Sequence, residues 1–225
     1  SSPMTVKKIA ILSPGDMGHA VGRALSAHGF EILTHLEGRS QRTCALAKDA
    51  GFRISATLNE LIHEADLLLS ILVPASAETV AKEIAQSLQE TGETTLIADC
   101  NAISPMRSER IGRTIESAGG RYIDASIIGH PPGRDAPPRF YVSGQYADAL
   151  LALDGKGIVV KALGGEVGRA SGIKMCYAAL TKGTSTLQVA LLTVAESLGL
   201  GSELHEELAY SQKAALRSME SGIPR

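Results

Sequence analysis

Tryptophan is absent from the 225 residues, and aromatic side chains make up only 4% of them. The chain therefore has little with which to stack single-stranded nucleic acid. Charge of one sign is lacking too: 22 Lys and Arg stand against 24 Asp and Glu, a net of −2. That balance gives neither nucleic acid nor an anionic membrane an electrostatic footing. Cysteine is scarce. Cys44, Cys100 and Cys176 lie far apart and match neither a disulfide framework nor a zinc pattern, so they read as reduced thiols of a cytoplasmic protein with no metal site. No apolar run reaches bilayer-spanning length, and Ser1-Ser2-Pro3 ahead of Met4 reads as an addition rather than a targeting signal. With 44% hydrophobic and 20% charged residues, the composition fits one large globular domain or one domain with a smaller appendage.

Residues 7–43 carry the most information. Lys7–Leu12 is an apolar run of strand length, broken by Ser13-Pro14-Gly15-Asp16-Met17-Gly18. A helical pattern follows through Ala20, Val21, Ala24 and Leu25. Gly29 then stands where a helix-ending glycine belongs, and Glu31–His35 resumes a strand. This βαβ opening makes residues 13–18 the turn that receives a dinucleotide pyrophosphate. Gly15 lets the backbone approach the phosphates, Gly18 lets the helix pack closely, and the helix N-terminus offers free N–H groups. Ser13 departs from the full fingerprint, which has its first glycine there.

The second strand ends in Glu37-Gly38-Arg39-Ser40-Gln41-Arg42-Thr43. A 2′-phosphate needs cations and hydroxyls, which Arg39, Ser40 and Arg42 supply, whereas a free ribose is held by a carboxylate such as Glu37. The balance favours NADP, with NAD as the alternative. The plainer reading makes both arginines solvated charges that open a helix.

Strand and helix patterns keep alternating to about residue 164. Asp66–Val73 is apolar on both faces, as a central parallel strand should be, and Pro74 stops it; Thr94–Asp99 is a second such strand, ending in Cys100-Asn101. Arg121–Ala125, Phe140–Ser143 and Ile158–Val160 complete the expected sheet. The fold class is thus α/β, a doubly wound, mostly parallel sheet of Rossmann type over residues 1–164. An α-helical segment, 165–225, follows: a long helix from Glu166 to about Leu198 and another from Ser202 to about Met219. Two helices alone bury no core, so they must pack on the sheet domain, on a partner subunit, or on further chain. Asn101, just beyond a buried strand, and Val73-Pro74, ending its neighbour, sit where open α/β sheets bind ligands.

In this order the segments resemble the β-hydroxyacid dehydrogenase family, which includes 6-phosphogluconate and 3-hydroxyisobutyrate dehydrogenases. Ser13–Gly18 is similar to its glycine motif, Asp99–Pro105 to its nicotinamide-side loop, Asp124–His130 to its substrate-carboxylate loop, and Gly168–Lys174 to the segment carrying its catalytic lysine. The resemblance implies an NAD(P)-dependent dehydrogenase or reductase acting on a small-molecule substrate. It also implies a homodimer through the C-terminal helices and a longer helical domain than residues 165–225 supply. Lys174 is then the general acid/base. It lies among Gly172, Ile173, Met175 and Cys176, where partial burial would help it exchange a proton near neutral pH. A snorkelling surface lysine is the plainer alternative.

Ser126, Ile128, Gly129, His130 and Tyr177 are the implied substrate contacts. Ala178 departs from the family's usual asparagine, and Ile128-Gly129-His130 departs from a serine followed by two glycines. These changes point away from a standard small 3-hydroxy acid. An imine reductase-like enzyme and a non-catalytic dinucleotide-binding protein are the rival readings.

Overall fold

The structure, a computed structural model, describes residues 5–12 and 15–222. Ser13 and Pro14 of the glycine-containing turn lie outside the described residues. Eight strands form one sheet: β1 (Lys8–Leu12), β2 (Glu31–Thr34), β3 (Arg53–Ile54), β4 (Leu67–Ser70), β5 (Leu96–Asp99), β6 (Arg121–Ile128), β7 (Arg139–Ser143) and β8 (Val159–Ala162). Their order across the sheet is β3-β2-β1-β4-β5-β6-β7-β8. The strands from β3 to β6 run parallel, β7 is antiparallel to β6, and β8 is parallel to β7. The expected doubly wound, mostly parallel sheet is what forms.

Strand alternation explains how it is covered. Ile9, Ile11, Leu67, Leu69 and Ile123 join one buried cluster, which also takes in Val21, Leu25 and Phe52. Ala10, Leu12, Leu68, Ile97 and Tyr122 face the other side and join a second cluster with Leu61, Ile84, Leu88, Ile111 and Ile115. Helix α1 (Asp16–Ala27) thus contributes to the first layer. Helix α2 (Gln41–Asp49) adds Ala47 to it, while α3 (Leu58–Glu64), α4 (Ala77–Thr91) and α5 (Pro105–Ser117) make the second. Local chemistry sets the helix ends: Ser40, Thr57 and Ser104 side chains each accept a backbone N–H of the first turn, and Gly92 closes α4 at φ 72°.

Several bounds differ from the sequence reading. Helix α2 starts at Gln41 because Ser40 caps it. Strand β6 continues through Ile128, where residues 124–128 pair with β7. Between β7 and β8 the chain forms a 3₁₀ turn, Ala147–Leu153. The last expected helix is two, α7 (Gly201–Ser211) and α8 (Lys213–Gly222), separated at Gln212 without glycine or proline to announce the break.

The chain divides into two compact units after Met175. The long helix α6 (Arg169–Ser197) starts in the first. The second unit holds the rest of α6 with α7 and α8. Within it Leu180, Leu187 and Leu198 are 69%, 64% and 66% exposed, and an apolar groove of about 660 Å³ is lined by Leu187, Leu191, Val194, Leu198 and Leu204. Among the described residues no helix is long and apolar enough to cross a membrane.

Candidate active site

The parallel strands bring their carboxyl ends to one edge of the sheet, and the loops leaving that edge hold most of the residues singled out above. At the first loop Gly15 is extended (φ −143°) and caps α1. A Cβ on Gly15 would meet no atom within 4 Å, and the residue stands at the positive end of a 12-residue helix. Met17 packs against the first core cluster and Gly18 is buried. A close approach falls at Gly22, where a Cβ would lie 2.2 Å from the Phe52 ring. His19, buried, stacks on the same ring at 5.7 Å, and its Nδ1 lies 2.6 Å from Gly15 O. Neither Gly22 nor His19 stood out in sequence, because Phe52 lies thirty residues away.

Beyond β2 a cleft of about 330 Å³ is lined by His35, Glu37, Arg39, Asn59, Glu83 and Glu90. Of the three residues expected to read a 2′-phosphate, Arg39 alone lines it. Ser40 Oγ accepts Thr43 N at 3.2 Å as the α2 cap, and Arg42 pairs with Asp16 at 2.9 Å. Glu37 lies 3.5 Å from His35. Asn59 and Gln86 donate to Glu90 and hold its carboxyl below the usual range, which keeps a negative charge in the cleft.

At the ends of β4 and β5, Asn101 is buried and works as a tie. Its Oδ1 accepts Leu72 N at 2.5 Å, its Nδ2 donates to Ser70 Oγ at 3.3 Å, and its own N–H donates to Asp99 Oδ1 at 2.9 Å. This fixes the backbone leading into Val73, which is exposed, and Pro74, whose carbonyl accepts Arg107 Nη2 at 3.2 Å. Burial pushes the Asp99 carboxyl up to about 6, against the pull of the Asn101 hydrogen bonds.

The fourth corner joins β6, β7 and the start of α6. Asp124 Oδ2 accepts Gly168 N (2.8 Å), Ser171 N (3.1 Å) and Ser143 Oγ (3.2 Å), while its Oδ1 accepts Ser171 Oγ (2.6 Å). Ser126 Oγ donates to Ala170 O at 2.8 Å. Lys174 follows one helical turn later, and its Nζ donates to Ile127 O at 2.8 Å. The lysine is thus half-buried at the end of β6. Ser126 and Ile128 are buried within the strand rather than placed in a loop, whereas Gly129 (φ 120°) and His130 are exposed just beyond it. Tyr177 belongs to the second unit and is 45% exposed. Asp124, Ser143 and Ser171 escaped the sequence reading because their pairing depends on the β6–β7 register. No group of three or more His, Cys, Asp or Glu able to hold a metal occurs among the described residues.

Comparison with known proteins agrees with this geometry. A family model described as the NAD binding domain of 6-phosphogluconate dehydrogenase matches residues 8–153. An uncharacterised 28.5 kDa protein of Methanothermus fervidus is 30% identical over 182 residues, covering 81% of this chain and 68% of that protein. The mitochondrial 3-hydroxyisobutyrate dehydrogenase of Mus musculus is 25% identical over 95% of the chain, which spans only 62% of the enzyme's length. Among solved structures, a conserved protein of unknown function, described as structurally similar to 3-hydroxyacid dehydrogenases, matches with a TM-score of 0.74 and 28% identity, covering 94% of this chain and 78% of that one.

Proposed function

Because the chain belongs to the family that carries the NAD binding domain of 6-phosphogluconate dehydrogenase, we propose that it is an NADP-dependent oxidoreductase with Lys174 as its general acid/base. The residues present fit a dinucleotide. Gly15, with Asp16, Met17 and Gly18 of the first helical turn, would receive the pyrophosphate. Arg39 would meet the 2′-phosphate in its cleft, and Val73 and Pro74 would meet the cofactor from the chain that leaves β4. Ser40 and Arg42 contribute by holding the start of α2 in place, since their polar atoms serve the cap and the Asp16 pair. The bound cofactor supplies a nicotinamide carbon that gives or takes hydride.

One observation carries the reading: Lys174 Nζ is held on Ile127 O at the sheet edge that also bears Gly15 and Asn101. Protonated, it gives a proton to the oxygen of a carbonyl undergoing reduction; as the free amine, it takes the hydroxyl proton in oxidation. Ile127 O fixes where that proton is delivered. Gly129 and His130 meet the substrate from beyond β6, and Ser126 and Ile128 support the strand from within. Residues 1–164 form the cofactor domain and 165–225 the helical domain. The exposed apolar groove of α6 and α7 supports a homodimer through these helices. The three free thiols support a cytoplasmic, reducing compartment.

The test is a spectrophotometric screen with NADPH and NADP against aldehyde acids, hydroxy acids and cyclic imines, repeated with Lys174→Met. Turnover falling about 10²–10⁴-fold in the variant, with cofactor binding intact, is the expected result. Undiminished turnover would remove Lys174 from the chemistry, and activity confined to cyclic imines would favour the imine reductase reading.

A further inference from the structure

The β6–β7 pairing brings to this edge a cation that the strand pattern gave no reason to place there. Ser143, Tyr141 and Arg139 stand opposite Asp124, Ser126 and Ile128. Directly opposed residues of an antiparallel pair share a face, so these six form two adjoining columns. Asp124, Ser126 and Ser143 show which face it is, because they bond to Gly168, Ala170 and Ser171 at the start of α6. Both rows climb toward the same edge. One step beyond Ser126 and Tyr141 the sheet offers Ile128 and Arg139; one helical turn beyond Ala170 the helix offers Lys174. Because β7 runs antiparallel to β6, its first residue lies at the carboxyl edge of the parallel strands, where the site is.

The Arg139 guanidinium lies against Gly129: a Cβ there would stand 3.3 Å from Nη1 and 3.7 Å from Nη2. Gly129 itself is two residues past the Ile127 carbonyl that holds Lys174, about 7 Å along the strand. Arg139 is half-buried, and its side chain makes no hydrogen bond or ion pair with any described residue. A guanidinium brought this close to the backbone, aimed at the ligand edge and matched by no carboxylate, is a ready receptor for an oxyanion.

We propose that Arg139 is a specificity-determining residue of this site, selecting substrates that carry a carboxylate or phosphate and orienting them beside Lys174. Ile128, opposite it, is apolar and gives no competing acceptor, while Gly129 leaves room for the planar fork. Neutral analogues of the same shape would leave the arginine unmatched and bind poorly. The identity of the bound anion as a substrate rests on the oxidoreductase reading above; the existence of the anion site does not.

The test follows the arginine Nε–Hε NMR signals of the intact protein, with and without NADPH, during titration with malonate, inorganic phosphate and uncharged malonamide. The expected result is saturable binding of malonate or phosphate, whichever the site favours, and none of malonamide. Affinity should weaken about ten- to a hundred-fold in Arg139→Gln and less in Arg139→Lys, with the thermal melts of both variants checked against the parent. Equal anion affinity in Arg139→Gln, equal malonamide binding, or no anion binding by the unmodified protein would each overturn the proposal. Anion binding that depends on Arg139 in a protein without turnover would sink the oxidoreductase reading and leave the anion site standing.

Discussion

The carboxyl end of β5 lies beside the middle of β6, with Asp99 and Asp124 opposite each other in register and both nearly inaccessible to water. The same residue at the same level has opposite surroundings. Asp124 takes four hydrogen bonds, three of them from the loop and first turn that open α6. Asp99 is served by Asn101, two residues away, and its carboxyl is pushed up to about 6 by burial with further pressure from the Asp124 charge. Burial takes water from a carboxylate, and at Asp124 donors delivered from elsewhere in the chain stand in its place. One aspartate therefore fastens α6, and with it Lys174, to the sheet. The other carries a charge its site does not welcome.

Breaking the well-served carboxylate should have the largest effect. Asp124→Ala strips the acceptor from two backbone N–H groups and two hydroxyls, and chemical denaturation should record a loss of about 3–5 kcal/mol. The poorly served carboxylate should do the reverse. A folded-state value near 6 exceeds that of the unfolded chain, so the folded state binds more protons between about pH 4 and 6. Stability should fall as pH rises through that window and level off above it, by a total of up to about 3 kcal/mol. Asp99→Asn keeps an oxygen for the Asn101 N–H and should flatten this profile, matching the parent near pH 4 and exceeding it above pH 6. An unchanged slope would mean that Asp99 is not the group responsible. Smaller again is Ser171→Ala, which removes one of the four Asp124 donors. It should cost about 1–2 kcal/mol and narrow the difference between the two sites without erasing it.

The two corners also differ in how far they could be read from sequence. The β1–α1–β2 corner is local: Gly15, the helix start and Arg39 fall within one βαβ unit, whose periodicity and turn residues suffice to place them. Even there the close packing at Gly22 is not legible locally, because the ring that presses on it comes from Phe52. Ser40 and Arg42 looked like phosphate readers, yet the cap and the Asp16 pair engage them, and neither role is visible without helix ends and a neighbouring turn. The β6–β7–α6 corner is nonlocal. A strand pattern does not state its direction or its partner, so the extension of β6 through Ile128 and the position of Arg139 emerge only from pairing. Lys174 was reachable by resemblance to a motif; what holds it, Ile127 O and the Asp124 hub beneath, was not.

The most direct measurement is titration of the purified protein with NADPH and NADH, following nicotinamide fluorescence. Arg39 shares its cleft with Glu37, Glu83 and Glu90, so the preference it confers should be modest. NADPH should bind about tenfold more tightly than NADH, and Arg39→Ala should bring the two to equality. Binding of neither nucleotide, or a preference for NADH that Arg39→Ala leaves unchanged, would contradict the assignment of this edge of the sheet as an NADP site.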